Sequence, residues 1–299
     1  MKVNALPQEA IVELQNLVEA EDIDMNSPAV TNSVFYQRIQ NESLLMCEEL
    51  LDPAILLVVC QIVARSSELR IINMSNNNLG SHGPAIAAAL ANTCTIHTIH
   101  LDGNKLGVHG PATAQALAAS NIIHTVYMGN NNLGMHGPDT AQALATSNTI
   151  HTVDMDCNDL RTHGPATAAA LATSKVIRTV YMNCNDLGKH GPATAKALAA
   201  SDTIYTIDME ANNLGEYGPA TAAALAVSDT IHTVYMEANN LGAHGPDTAT
   251  PFISRNNAGQ ALLKELLRAN HEDLELFPVD IMHLIGEYAV HPYIDFTIE

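Results

Sequence analysis

A 27-residue motif recurs seven times in this chain, starting at Leu69, Ile96, Ile123, Ile150, Ile177, Ile204 and Ile231 and running almost unbroken to Ala249. A unit that short is one supersecondary element whose apolar face cannot be buried alone, so neighbouring units must stack into a solenoid. An open stack exposes a strand edge and apolar helix faces at both ends, which have to be covered. The expected organisation is therefore an N-terminal helical cap at 1–68, the repeats at 69–249 and a C-terminal helical cap at 250–299.

The unit Ile123 to Thr149 shows how each part is built. Apolar residues at its first, fourth, sixth and eleventh places (Ile123, Val126, Met128, Leu133) point inward, and the alternation around Val126 and Met128 reads as a short strand. The ninth place is asparagine in all seven units: Asn77, Asn104, Asn131, Asn158, Asn185, Asn212 and Asn239. A chain leaving a strand and turning inward carries backbone groups without ladder partners, and a buried carboxamide can satisfy them. The column predicts an asparagine ladder. Gly-Pro at places fifteen and sixteen, such as Gly137 and Pro138, starts a short alanine-rich helix. The serines of the twenty-fifth place, such as Ser147, belong to the turn back to the next strand.

The consensus LxxLxLxxNxLGxxGxxxLxxAL, with methionine, isoleucine and valine replacing many leucines, resembles the leucine-rich repeats of the ribonuclease-inhibitor type over about 180 residues. The near-identical units and acidic helical ends look most like the leucine-rich-repeat effectors of Legionella. The resemblance implies an α/β solenoid, a right-handed horseshoe with parallel strands on the concave face, short helices on the convex face and helical caps at both ends. It also implies a protein-binding module without catalytic residues.

Charge is consistent with that. The formal net charge of -19 divides into -8 for residues 1–68 (3 basic, 11 acidic), -6 for 69–249 (7 against 13) and -5 for 250–299 (3 against 8). Such a surface repels phosphate backbones and anionic lipids and favours a basic protein. Five cysteines form no close CxxC pair and follow no secretory leader, so a reduced, cytosolic setting is expected. Cys157 and Cys184 occupy the same place in adjacent units and read as two small half-buried thiols, with a disulfide or metal pair as the alternative. The apolar stretch from Ala54 to Ala64 is too short to span a bilayer and reads as a cap helix.

The caps are expected to hold helices around 6–20, 34–40 and 43–65 at one end and 258–270 and 279–290 at the other. Pro251 is expected to interrupt the last repeat's helix, with Phe252 in its leucine slot. The segment Phe277 to Tyr288 resembles the opening of an F-box, which would make the chain a ubiquitin-ligase adaptor, although only 11 residues follow it.

Candidate binding residues lie on outward-pointing strand places. The third place is a threonine column. The fifth reads Asn73, His100, Tyr127, Asp154, Tyr181, Asp208, Tyr235, and the seventh adds Asp102, Asp156, Glu210 and Glu237. Arg70 and Arg178, at second places, are the main relief of this acidity. Three of the chain's 8 tyrosines stand in one column, and tyrosine is favoured at interfaces. The alternation can pair tyrosine hydroxyls with carboxylates. Duplication of a two-unit block accounts for its origin, and a solvated acidic face is the alternative to a binding stripe.

Histidine recurs at the fourteenth place (His82, His109, His136, His163, His190, His244), where its ring is expected to bond backbone near the helix start rather than a metal. A second histidine column, His97, His124, His151 and His232, is read the same way. Arg161 replaces the glycine of the twelfth place. Repeats of this type also build activators of Ran-like GTPases, and in that reading Asn158, Asp159 and Arg161 form an alternative loop site.

No nucleophile elbow, phosphate-cradling loop, HExxH or paired-carboxylate motif is present, so no catalytic residue is assigned. No metal, other cofactor, nucleic acid or membrane partner is expected. The sequence points to a monomer that binds a basic host protein, secreted by a bacterium into a eukaryotic cytosol.

Overall fold

The computed structural model describes residues 53–64, 66–67 and 69–256, together with strand residues 39–40, 43–45 and 295–297. Ten short strands form one sheet in chain order. They are β1 (Ile39–Gln40), β2 (Ser43–Leu45), β3 (Ile71–Asn73), β4 (Thr98–His100), β5 (Thr125–Tyr127), β6 (Thr152–Asp154), β7 (Thr179–Tyr181), β8 (Thr206–Asp208), β9 (Thr233–Tyr235) and β10 (Asp295–Thr297). From β2 onward every pair is parallel, and from β3 to β9 each strand is matched to the next at an offset of 27 residues. Seven strands of one sheet thus alternate with helices at the repeat period, as an α/β leucine-rich-repeat solenoid requires.

The helices are α1 (Pro53–Val63), α2 (Gly83–Ala91), α3 (Gly110–Ala118), α4 (Gly137–Ala145), α5 (Gly164–Leu171), α6 (Gly191–Ala199) and α7 (Gly218–Ala226). An eighth, α8, covers 245–256. A single 3₁₀ turn leads into each repeat helix, as Gly134–His136 does for α4, and proline at the first turn leaves no N–H to satisfy. Small residues let consecutive helices pack closely along the stack.

Within a unit the inward residues form the core: Ile123, Val126, Met128, Leu133 and Leu144 are all fully buried, and so are their counterparts in neighbouring units. Each contributes about 1.5–3 kcal/mol by leaving water. Only the middle residue of a three-residue strand faces this core, so each strand presents two side chains outward.

The asparagine ladder lies beneath the turn after each strand. Asn131 is fully buried; its Oδ1 accepts the N–H of Asn104 at 2.9 Å, and its Nδ2 donates to the carbonyls of Leu101 and Met128 at 2.9 and 3.0 Å. The same link joins Asn158 to Asn131, Asn185 to Asn158, Asn212 to Asn185 and Asn239 to Asn212. Rungs connect side chain to backbone rather than amide to amide, so each carboxamide closes its own turn and the one before it.

That turn is tight. Places eight, ten and twelve of every unit have positive φ, and fourteen of those residues are not glycine, Cys157 (51°), Asp159 (58°) and Arg161 (43°) among them.

Two expectations are corrected, and one strand is added. In the N-terminal cap, residues 39–40 and 43–45, placed in helices by sequence, form an antiparallel hairpin that pairs in parallel with β3. This closes the sheet edge that a helix would leave open. At the other end α8 continues through Pro251; proline supplies no N–H to the carbonyl of Asp247, but that residue is exposed and water can take the acceptor. Strand β10, unforeseen, covers the far edge beside β9. Phe252 fills the leucine slot and is fully buried. The expected helices at 6–20, 258–270 and 279–290 and the segment Phe277 to Tyr288 lie outside the described residues.

Candidate functional site

Zero register shift brings the fifth-place residues side by side. His100 is paired with Tyr127, Tyr127 with Asp154, Asp154 with Tyr181, Tyr181 with Asp208 and Asp208 with Tyr235. The rings of His100 and Tyr127 stack with centroids 4.2 Å apart and planes 2° from parallel. Tyr127, Tyr181 and Tyr235 are half-buried, and Asp208, at 9% exposure, is the most enclosed acid of the stripe.

The carboxylates are held by backbone rather than by the phenols. Asp154 accepts the N–H of Asp156 at 2.8 Å, and Asp208 that of Glu210 at 3.1 Å. The pairing of tyrosine hydroxyls with these two carboxylates, expected from the alternation, is therefore replaced by turn closure two residues on. Asp102 accepts the N–H of Gly129 at 2.9 Å and lies 3.7 Å from Nδ1 of His100.

Sequence reading passed over Asn183, the seventh-place residue between Asp156 and Glu210. Its N–H donates to Asp156 at 2.7 Å, its amide nitrogen to Asp156 and Asp208 at 3.2 and 3.0 Å, and its Oδ1 accepts from Glu210 at 3.0 Å. One amide thus ties two aspartates and the next turn. An amide between Asp156 and Glu210, in a column with four acids among its seven places, was the available signal.

Crowding raises the acids. Asp154 rises to about 6, chiefly by burial and then by Asp102 and Asp208, against the Asp156 N–H and His100, which favour its charge. Burial and the Asp154 charge take Asp156 to about 7 against the bonds from Asn183, and a shared hydrogen bond with Glu237, followed by burial, takes Glu210 to about 7. Burial raises Asp208 too. The phenols of Tyr127 and Tyr181 move up, first by burial. Among the described residues, no group of three or more histidine, cysteine or acidic side chains is placed to hold a metal ion.

A folded carboxyl with a raised pKa binds more protons than its unfolded counterpart between the two values. Its contribution to stability is fully present below about pH 4 and is lost as pH rises through about 6–7. The thermal midpoint should therefore be higher at pH 5 than at pH 8, by on the order of 5 °C. Asp156→Asn should flatten that difference, and a midpoint that falls on acidification would contradict it.

From the second unit on, the histidines of the fourteenth place act through their backbones. No ring caps a helix; instead the carbonyl of His109 accepts the buried hydroxyl of Thr113 at 2.8 Å, and Tyr217, in the same slot, accepts that of Thr221 at 2.8 Å. The ring is dispensable to that bond. In the second column His97, His124 and His151 stack at 6.0 and 5.0 Å along the concave surface.

The three residues of the alternative loop site differ in access. Asn158 is fully buried in the ladder. Arg161 is exposed but its guanidinium meets Asp159 at 2.6 Å and Asp186 at 3.7 Å.

Among the described residues, no helix is long and apolar enough to cross a membrane. No protein-family model matches the chain, and no curated protein matches it in sequence. Among solved structures it is similar to the leucine-rich repeat-containing protein LegL7 from Legionella pneumophila. Identity is 21%, coverage is 68% of this chain and 67% of that one, and the TM-score is 0.51. The repeat, the registered parallel sheet and this likeness together give the chain the leucine-rich-repeat fold.

Proposed function

We propose that the protein is a non-enzymatic interaction module that binds a basic protein surface through its concave tyrosine and carboxylate face. The observation that supports this most is the registered line of Tyr127, Asp154, Tyr181, Asp208 and Tyr235, flanked by Asp102, Asp156, Glu210 and Glu237. Carboxyls raised to about 6 and 7 are acids that gain from a neighbouring cation. A lysine or arginine set between two phenols can meet ring faces, hydroxyls and carboxylate at once.

The near-identical units and acidic ends that resemble the leucine-rich-repeat effectors of Legionella extend the proposal to an effector delivered by a bacterium into a eukaryotic cytosol, acting there as a monomer. Regulation of a Ran-like GTPase is the weaker reading, because Asn158 is buried and Arg161 is tied to two aspartates.

The test is affinity capture from eukaryotic cytosol with the wild type and with Tyr127→Ala, Tyr181→Ala, Tyr235→Ala combined, followed by titration of the purified partner. The face reading expects at least a 30-fold loss of affinity at an unchanged far-ultraviolet spectrum, and wild-type binding that weakens with salt. A partner held equally by both proteins sinks it.

A further inference from the structure

Cys157 and Cys184 occupy the eighth place of the fourth and fifth units, and both are exposed rather than half-buried. Their backbones repeat each other, with φ of 51 and 53°; Cys157 N–H donates to Asn183 O at 2.8 Å, and Cys184 N–H to Glu210 O at 3.1 Å. Equal conformation one rung apart sets the two Cα–Cβ bonds side by side, about 4.8 Å from each other. That lies within the ~4.4–6.8 Å between Cα atoms that a disulfide spans. Backbone register thus places the two thiols on one face of adjacent turns. The turn itself does not demand cysteine, since Asn76, Gly103, Asn130, Ala211 and Ala238 serve at this place elsewhere.

We propose that Cys157 and Cys184 are a modification site, a thiol pair that a small disulfide of the glutathione type converts into a bond between two repeats. In the first step one cysteine thiolate attacks a sulfur of the small disulfide, giving a mixed disulfide and releasing one small thiolate. The other cysteine sulfur then displaces the second. One S–S bond breaks and one forms, two protons pass from the cysteines to the released thiols, and the pair gives up the two electrons that the small disulfide gains.

Partial burial, then the Cys184 thiol and the carboxylates of Asp156 and Asp154, push the Cys157 thiol up to about 12. The part of this raise that comes from the Cys184 thiol is gone once Cys184 carries the mixed disulfide, and the small thiolate fraction of Cys157, held one rung away, is the nucleophile of the second step. Asp156 and Asn183, which bond to each other, immediately precede the two cysteines, so the bond closes beside the amide bridge of the concave face. The proposal does not depend on what that face binds.

The full chain is incubated with excess oxidised glutathione, alkylated, digested without reduction and mapped by mass spectrometry, with a parallel thermal melt. The expected product is a Cys157–Cys184 cross-linked peptide, with the midpoint raised on the order of 5–10 °C and returned by dithiothreitol. Cys184→Ser should remove both signals, and Cys94→Ser should leave both. Separate glutathione adducts on the two cysteines, or bonds from either to Cys47, Cys94 or a second molecule, would overturn the proposal.

Discussion

Asn131→Ala is expected to lower the unfolding free energy by about 3–5 kcal/mol, the largest loss for any single side chain of the array. The carboxamide accepts from the N–H groups of Asn104 and Leu106 and donates to the carbonyls of Leu101, Met128 and Gly129, all inside the core. Alanine leaves those groups buried without a partner and without room for water to replace the amide in the same geometry. Asn131→Asp is expected to be as damaging, since a carboxylate can accept from Asn104 but cannot donate to the carbonyls it would face. Urea titration followed by circular dichroism measures the loss. Because each unit touches only its neighbours, the variant should also unfold with a smaller m-value as the array breaks in two at the third unit. A change under 1 kcal/mol would mean that the ladder is not what holds the turns.

Gly137→Ala and Gly245→Ala are expected to differ in sign although the two glycines hold the same place in their units. Both open a helix with ordinary negative φ, so conformational freedom is not at issue. At Gly137 an added Cβ would overlap Cδ2 of Leu160 and stand 2.9 Å from Oγ1 of Thr167, and both partners are fully buried in the next unit. Relief requires that the two units separate, a cost of about 1–3 kcal/mol. At Gly245 nothing lies within 4 Å of the added atom, and alanine there should be neutral or stabilising by up to about 1 kcal/mol. Thermal melts of the two variants side by side decide it. Equal effects would show that the glycine column serves the helix start rather than the spacing between units.

What repeats was legible and what occurs once was not. The inward residues, the asparagine column and the registered pairing of Tyr127 with Asp154 all follow from a constant period, because units of equal length can stack only with matched places opposite each other. The hairpin at 39–45 and strand β10 have no copies elsewhere in the chain. Two or three residues are too few for an alternation to show, and such strands form only because an open sheet edge is waiting. Pro251 was misjudged because its local rule weighs only the lost bond and the ring's crowding of the preceding turn, whereas Phe252, fully buried in the leucine slot, holds the next turn against the stack. Within the site, composition marked the column but not the contacts. Asn183 looked like one polar residue among acids, yet its amide is what lets Asp156 and Asp208 stand near one another. The fourteenth-place histidines failed in the opposite way. A conspicuous side chain drew attention, while the bond that matters runs from a threonine hydroxyl to the backbone carbonyl behind it.

The rung-by-rung identity of the array has a consequence for its history. Each junction between units uses the same pairing, the same asparagine link and the same glycine contact, so cutting out 27 residues between equivalent places joins two surfaces already made for each other. Length is then an adjustable quantity that slippage between near-identical coding segments can reset without a new fold having to be found. The concave face becomes a ruler: adding or losing a unit changes how many tyrosines and carboxylates it carries, while leaving every remaining one where it was relative to its neighbour.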